Sequence, residues 1–421
     1  MNRRDFVKGL AIAAGGLAGG AALNASLNGN DAVAAEGRTT ANKMEYRRMR
    51  RVSGAVSAIG IGGSNLHRSS PQEIRRMVRY GHENGVNLID LIMTDDSPFA
   101  SIADVVKPDR KDFRLQAHIG ADFPGGRVET CRDLNRIKRE FDRQLKIFAT
   151  DYMDFGLVHY VDSMDDFKNI MSSGIWRYMK DLKRQGALKN LGFCSHTLSI
   201  CQAFVDTGDV DCFMTSVNPI YDFSEENGKL AVSKERMDFY RDCAKRGIGI
   251  HVMKVFAGGS LIDRRLSQLE RPLSVYQCLQ YALDRPAVQS CLVGASSVDE
   301  LKESLAHFTQ PFDRRDYAVH SFLALVAQGY AVLGGMSSGG AAHGHCIYCN
   351  HCQPCAAGID IGIVSKYMDL ALAGDDLARK HYNDLKIHAS ACIKCGRCDK
   401  NCNFGVKPSA RMAQAVKVFG K

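Results

Sequence analysis

The chain has 421 residues, of which 45% are hydrophobic and 24% charged, and it carries a formal net charge of +9. This content excludes a disordered chain and allows a large buried core with an appended module. A surplus this mild does not make a nucleic-acid surface, and the densest basic run, Arg47, Arg48, Arg50 and Arg51, reads as the solvated face of a hairpin.

The N-terminus pairs Arg3 and Arg4 with a Gly/Ala-rich apolar stretch from Gly9 to Leu23, and then Ala32-Val33-Ala34 ahead of Ala35. That pattern reads as a twin-arginine export signal over residues 1–34, with an A-x-A cleavage site and a periplasmic destination. A membrane anchor is the competing reading, but Asn24 ends the run short of the ~20 strongly apolar residues a spanning helix needs. No later stretch is long and apolar enough to span, so an integral membrane protein is not expected. The twin-arginine route carries folded proteins.

From Val56 onward, β-rich runs alternate with amphipathic stretches. They are Ser57 to Gly63 with Pro71 to Asn84, Val86 to Leu91, Phe113 to Ile119 with Val128 to Phe148, and Tyr152 to His159 with Met164 to Arg184. Leu188 to Ser195 with Ser199 to Val205, Cys212 to Asn218 with Lys234 to Arg246, Ile248 to Phe256 with Ser274 to Leu283, and Val288 to Gly294 with Val298 to His307 follow. Eight such units predict an α/β fold, a closed (β/α)8 TIM barrel over residues 44–315, with reactive groups at the C-terminal strand ends. A doubly wound sheet is the alternative, but no G-x-G-x-x-G follows the first strand. An apolar helix and a Gly/Ser/Ala-rich linker are expected over residues 316–339.

The fifteen cysteines divide the chain. Seven lie singly between Cys131 and Cys291, mostly in apolar patterns, and read as small core residues. Eight form two runs, Cys346, Cys349, Cys352, Cys355 and Cys392, Cys395, Cys398, Cys402. The second has the C-x2-C-x2-C-x3-C spacing of bacterial ferredoxins, in which the fourth thiolate reaches across to the other cluster. Residues 340–421 are therefore expected to form a small α-helical ferredoxin-like domain holding two 4Fe-4S clusters. Cys346, Cys349, Cys352 and Cys402 would bind one cluster, and Cys392, Cys395, Cys398 and Cys355 the other. The first run departs from the usual spacing, and Ala356 and Asn403 replace the usual prolines, which leaves the pairing open. Zinc or disulfides are rival readings that do not account for two four-cysteine runs.

Certain barrel motifs resemble the aldo-keto reductase family, in its branch with a fused C-terminal 4Fe-4S ferredoxin domain, from about Met44 to Lys421. They are Met44-Glu45-Tyr46-Arg47, Gly85 to Asp90, Asp151-Tyr152-Met153-Asp154 ahead of His159, Leu191 to His196, and Met253-Lys254 before Gly258-Gly259. The resemblance implies carbonyl reduction by an Asp, Tyr, Lys and His tetrad. Asp90 and His159 match it, whereas Asp95 stands where the tyrosine is expected and His118 where the lysine is. An aspartate with a pKa near ~3.9 is a poor proton donor at neutral pH, so a re-formed site of Asp90, Asp95, His118 and His159 is expected. A silent barrel whose histidines only fill a polar pocket is the rival.

The resemblance also implies that the loop after the seventh strand, with Lys254, Gly258 and Gly259, contacts the phosphates of NAD(P). Met214, His196 and Glu300 stand where nicotinamide- and phosphate-holding residues are expected, and export removes the protein from the soluble nicotinamide pool. The expected function is an iron-sulfur oxidoreductase that passes electrons between a respiratory redox partner and a small-molecule site in the barrel mouth. A non-catalytic electron-transfer or docking protein and a cytoplasmic NAD(P)H reductase are the alternatives.

Overall fold

The computed structural model describes residues 44–92, 96–122, 129–226, 229–267, 272–317, 346, 348, 352–372, 376–402 and 404–421. The signal segment, Asp95, Cys349 and almost all of the helix and linker expected over residues 316–339 lie outside the described residues.

Eight parallel strands close a barrel: β1 (Ile59–Ile61), β2 (Leu88–Leu91), β3 (Arg114–Ile119), β4 (Met153–Val158), β5 (Leu188–Cys194), β6 (Cys212–Ser216), β7 (Gly249–Met253) and β8 (Val288–Val293). Each pairs with its sequence neighbours, and β8 returns to β1. This is the barrel expected from the alternating runs. A helix at Asp96–Val106, which the sequence pattern does not announce, fills the place after β2. Helices begin where a side chain can accept the first free amides. Ser70, Asp133, Ser163, Ser233 and Ser297 all do so, and Ser274 forms a full capping box with Gln277.

Two apolar layers result from the strand period of two. Leu88, Phe155, Leu157, Cys194, Cys212, Met214 and Leu292 fill the barrel interior. The alternate residues meet the helices, where Phe193 stacks between Phe204 and Phe213 with centroids 4.4 and 4.9 Å apart. Burying each such ring stabilises by about 1.5–3 kcal/mol. The strands crowd most at Gly192, where a Cβ would stand 1.9 Å from the Cys212 carbonyl oxygen. All seven single cysteines are buried, as expected of core residues.

The basic run of the N-terminal hairpin is not merely solvated. Arg47 donates to the Leu283 and Val288 carbonyls at 2.7 and 2.9 Å, Arg50 to Lys245 and Arg51 to Gly208. These guanidiniums take up carbonyls beneath the barrel, a use that the local sequence does not reveal.

After the barrel comes a helical unit with its own core of Ile359, Ile361, Val364, Met368, Tyr382, Met412 and Ala415. Its longer helices are Ile361–Leu372, Asp376–Asn383 and Pro408–Phe419, with a short one at Arg397–Lys400, and Arg411 clamps Asp369 with bonds of 2.7 and 2.6 Å. It rests on the loops that follow β6 and β7. Phe404 and Val406 pack on Ile220 and Tyr221, and Leu370 packs with Leu266. Among the described residues no helix is long and apolar enough to cross a membrane.

Candidate functional site

Register brings Asp90, His118 and His159 together. Asp90 on β2 lies opposite Gln116 on β3, and His118 stands two residues further toward the mouth. His159 follows the end of β4, and its amide is bonded to the Ile119 carbonyl at 2.8 Å. Asp90, His118 and His159 are all buried, His118 completely.

Their hydrogen bonds form one chain. Asp90 Oδ1 is 2.8 Å from His118 Nε2, and His118 Nδ1 is 3.1 Å from His159 Nδ1. An ionised carboxylate only accepts, so His118 carries its proton on Nε2. When His118 is neutral, its Nδ1 must accept, His159 must donate from Nδ1, and His159 Nε2 is left as the proton acceptor. Burial first, and then the charges of His118, Arg132 and His196, hold the His159 pKa well below the usual histidine range. The imidazole is therefore neutral at neutral pH. Gln116 supports the chain by donating to Asp90 Oδ1 at 2.7 Å, while its own oxygen accepts from His251 Nδ1 at 2.5 Å. His118 thus sits inside the relay behind His159, and does not reach the mouth itself.

A second relay stands beside the first, and the sequence pattern did not single it out. Asp162 Oδ2 is 2.8 Å from His196 Nδ1, and His196 Nε2 is 2.8 Å from Lys254 Nζ. The His196 amide and the Ser195 hydroxyl also donate to Asp162, at 2.6 and 2.9 Å. Burial, followed by the Lys254 charge, lowers the His196 pKa to about 4. His196 therefore accepts from the lysine through Nε2. Lys254 has left-handed backbone, φ 57°, and the Asn218 side chain donates to its carbonyl at 2.7 Å. The sequence signals were His196 standing in place of the resembled family's asparagine and Lys254 as an expected phosphate contact, whereas Asp162 gave none.

Tyr160 lies between the two relays, its ring centroid 6.1 Å from that of His159 and 5.8 Å from that of His196. Its φ of 48° is costly for a bulky side chain. Arg132 holds it there, donating to the carbonyls of His159 and Tyr160 at 2.8 and 3.1 Å while paired with Asp166.

The aldo/keto reductase family model matches residues 58–274. The chain belongs to the aldo/keto reductase family. The barrel resembles the holo form of aldo-keto reductase AKR11C1 from Bacillus halodurans (TM-score 0.53, 20% identity, 65% of this chain and 94% of that one). It also resembles a protein described as an aldo-keto reductase of Pseudomonas aeruginosa (TM-score 0.51, 21% identity, 65% and 97%). Identity this low shows the fold alone. No curated protein sequence matches the chain. In this aldo/keto reductase the barrel mouth thus carries two histidine relays.

The loop after β7 belongs partly to the helical unit's footprint. A Cβ on Gly259 would lie 3.9 Å from Leu266 and 4.0 Å from Lys366 Nζ of helix Ile361–Leu372. Burial lowers the Lys366 pKa, and the charges acting on it come from Arg68, Asp263, Glu300 and Arg265. Glu300 accepts from the Ser296 amide and hydroxyl at 2.8 and 2.9 Å.

The described cysteines of the two runs separate in space. Cys355, Cys392, Cys395 and Cys398 all line one small apolar cavity, together with Ile359, Ile361, Ile393 and Met412. Cys346 and Cys402 pack instead with Phe404 and Val406 against the barrel, and Cys352 is buried in the unit's core. Among the described residues no three His, Cys, Asp or Glu side chains approach closely enough to hold one metal ion.

Proposed function

We propose that the protein is an exported iron-sulfur oxidoreductase in which the helical unit passes electrons, through two 4Fe-4S clusters, to or from chemistry at the barrel mouth. The observation that carries this reading is the cavity shared by Cys355, Cys392, Cys395 and Cys398. They are the first three thiols of the second run and the last of the first, the set expected for one cluster. Soft thiolate donors in an apolar wall suit an iron-sulfur cluster. Cys346, Cys352 and Cys402, with Cys349 from outside the described residues, would hold the other. When bound, the clusters supply one-electron transfer.

At the mouth, Asp90 and His118 fix the tautomer of His159, whose Nε2 takes up or returns the substrate proton. His118 is a positioning residue, and Lys254 with His196 orients a polar substrate group. One feature disfavours a freely exchanging nicotinamide, for Lys366 of helix Ile361–Leu372 reaches to within 4.0 Å of a Cβ placed on Gly259.

Iron and acid-labile sulfide analysis of the anaerobically purified chain, with electron paramagnetic resonance after dithionite reduction, tests the reading. About eight irons per chain and a reduced-cluster signal are expected. Zinc, or a full complement of bound NADP, would overturn it. Complete burial of His118 favours one other reading, a non-catalytic electron-transfer protein whose histidines only fill the barrel. Unchanged dye-linked electron transfer in His159→Ala would establish that alternative.

A further inference from the structure

The helical unit is chemically lopsided. Its cavity of four thiols lies beside Ile393, which is 66% exposed, and beside the exposed Cys395. Lys394, Arg397 and Lys400 are exposed on the same turn, with Lys386 and Lys407 exposed at either end of the segment. Lys394 is presented in left-handed backbone, φ 55°. Among residues 386–407 the only acid is Asp399, and it is engaged internally, accepting from the Ser409 amide at 2.8 Å and the Ser409 hydroxyl at 2.5 Å. Cys346 and Cys402 instead pack on Phe404 and Val406, the residues that also meet Ile220 and Tyr221 of the barrel. There Asn218 accepts from the Tyr221 amide at 3.3 Å and donates to the Lys254 carbonyl, which joins that contact to the mouth.

We propose that the face around Ile393 is the docking site of a small electron-transfer protein with an acidic surface, and that the Cys346 and Cys402 side serves the barrel. The proposal rests on the iron-sulfur reading above and gives the electron route a direction in space. A single exposed apolar residue ringed by cations matches a partner whose acidic rim surrounds an exposed cofactor. It gives no broad apolar face to enter a lipid surface.

The test uses the full mature chain with a strongly acidic flavodoxin as probe, titrated at low salt and again at high salt. Binding is expected at low salt and is lost as salt rises. It should weaken about tenfold or more, the scale of electrostatic steering, when Lys394, Arg397 and Lys400 are all changed to Glu. A second variant, Lys386→Glu with Lys407→Glu, lies farther from the thiols and should weaken binding in the same sense, as should Ile393→Asp. Charge reversal on the barrel at Arg184 should have no effect. Unchanged affinity in both charge-reversed variants, or binding to anionic phosphatidylglycerol vesicles but not to flavodoxin, overturns the proposal. Iron and sulfide are measured on the same samples. Full iron with charge-insensitive binding removes the docking face and leaves the iron-sulfur reading standing. Charge-sensitive binding by an iron-free chain keeps the docking face and removes the electron route.

Discussion

Lowering the pH from 7.5 to 5 should strip most of the barrel's stability, because its interior holds several neutral histidines. Burial lowers the His196 and His251 pKa values to about 4 and that of His307 to about 3. In the unfolded chain each returns to ~6.5. A depressed folded value means that the unfolded chain binds more protons, so stability is complete above ~6.5 and is lost as pH falls through it. At pH 5 each unfolded imidazole is almost fully protonated while its folded counterpart is not, a cost of about 2 kcal/mol per histidine. The three together cost about 6 kcal/mol, and His159 acts in the same sense. Asp284, whose pKa burial raises, opposes them lower in the range. A total stability of roughly 5–15 kcal/mol leaves little margin for such a loss. Trp176, the only tryptophan, is buried in the barrel wall and donates to Asp209 at 3.0 Å, so its fluorescence reports barrel unfolding in urea. His307→Leu should reduce the pH-dependent loss by about 2 kcal/mol, whatever it does at pH 7.5. Unfolding free energies within about 1 kcal/mol of each other at the two pH values would refute the reasoning.

Further outcomes follow from single contacts. Asp222 is fully buried against Arg236, Tyr240, Tyr281 and Arg285, so Asp222→Ala should cost about 3–5 kcal/mol by stranding two guanidiniums. A urea midpoint near that of the wild type would show that water reaches them. Nitrogen-15 NMR of labelled histidines at pH 7 should find His159 neutral with its proton on Nδ1, and Asp90→Ala should release that preference. A proton on Nε2 in the wild type would break the derived relay. Cys395→Ser should lower iron from about eight to about four per chain, with one reduced-cluster signal retained. Loss of all iron would show that neither cluster assembles alone.

Asp90, His118 and His159 were legible through the resemblance, because Asp90 and His159 match the family's motif positions and His118 stands where its lysine is expected. Asp95 and Cys349 lie outside the described residues, so the structure adds nothing on them. The relay through Asp162, His196 and Lys254 was not legible, since its members come from three separate strand ends 34 and 58 positions apart. The helix at Asp96–Val106 escaped because its polar residues, Asp96, Ser97, Ser101 and Asp104, leave only a weak face.

Local pattern by itself determined the number of strands and the burial of the seven single cysteines, because alternation acts between residues close along the chain. Only the tertiary structure decided that Arg47, Arg50 and Arg51 bind carbonyls beneath the barrel. It also decided that His118 stands behind His159, and that one side of the helical unit faces Tyr221 while the other exposes Ile393. These depend on which strand ends and loops meet, and barrel closure and the packing of two cores set that rather than any short stretch of residues.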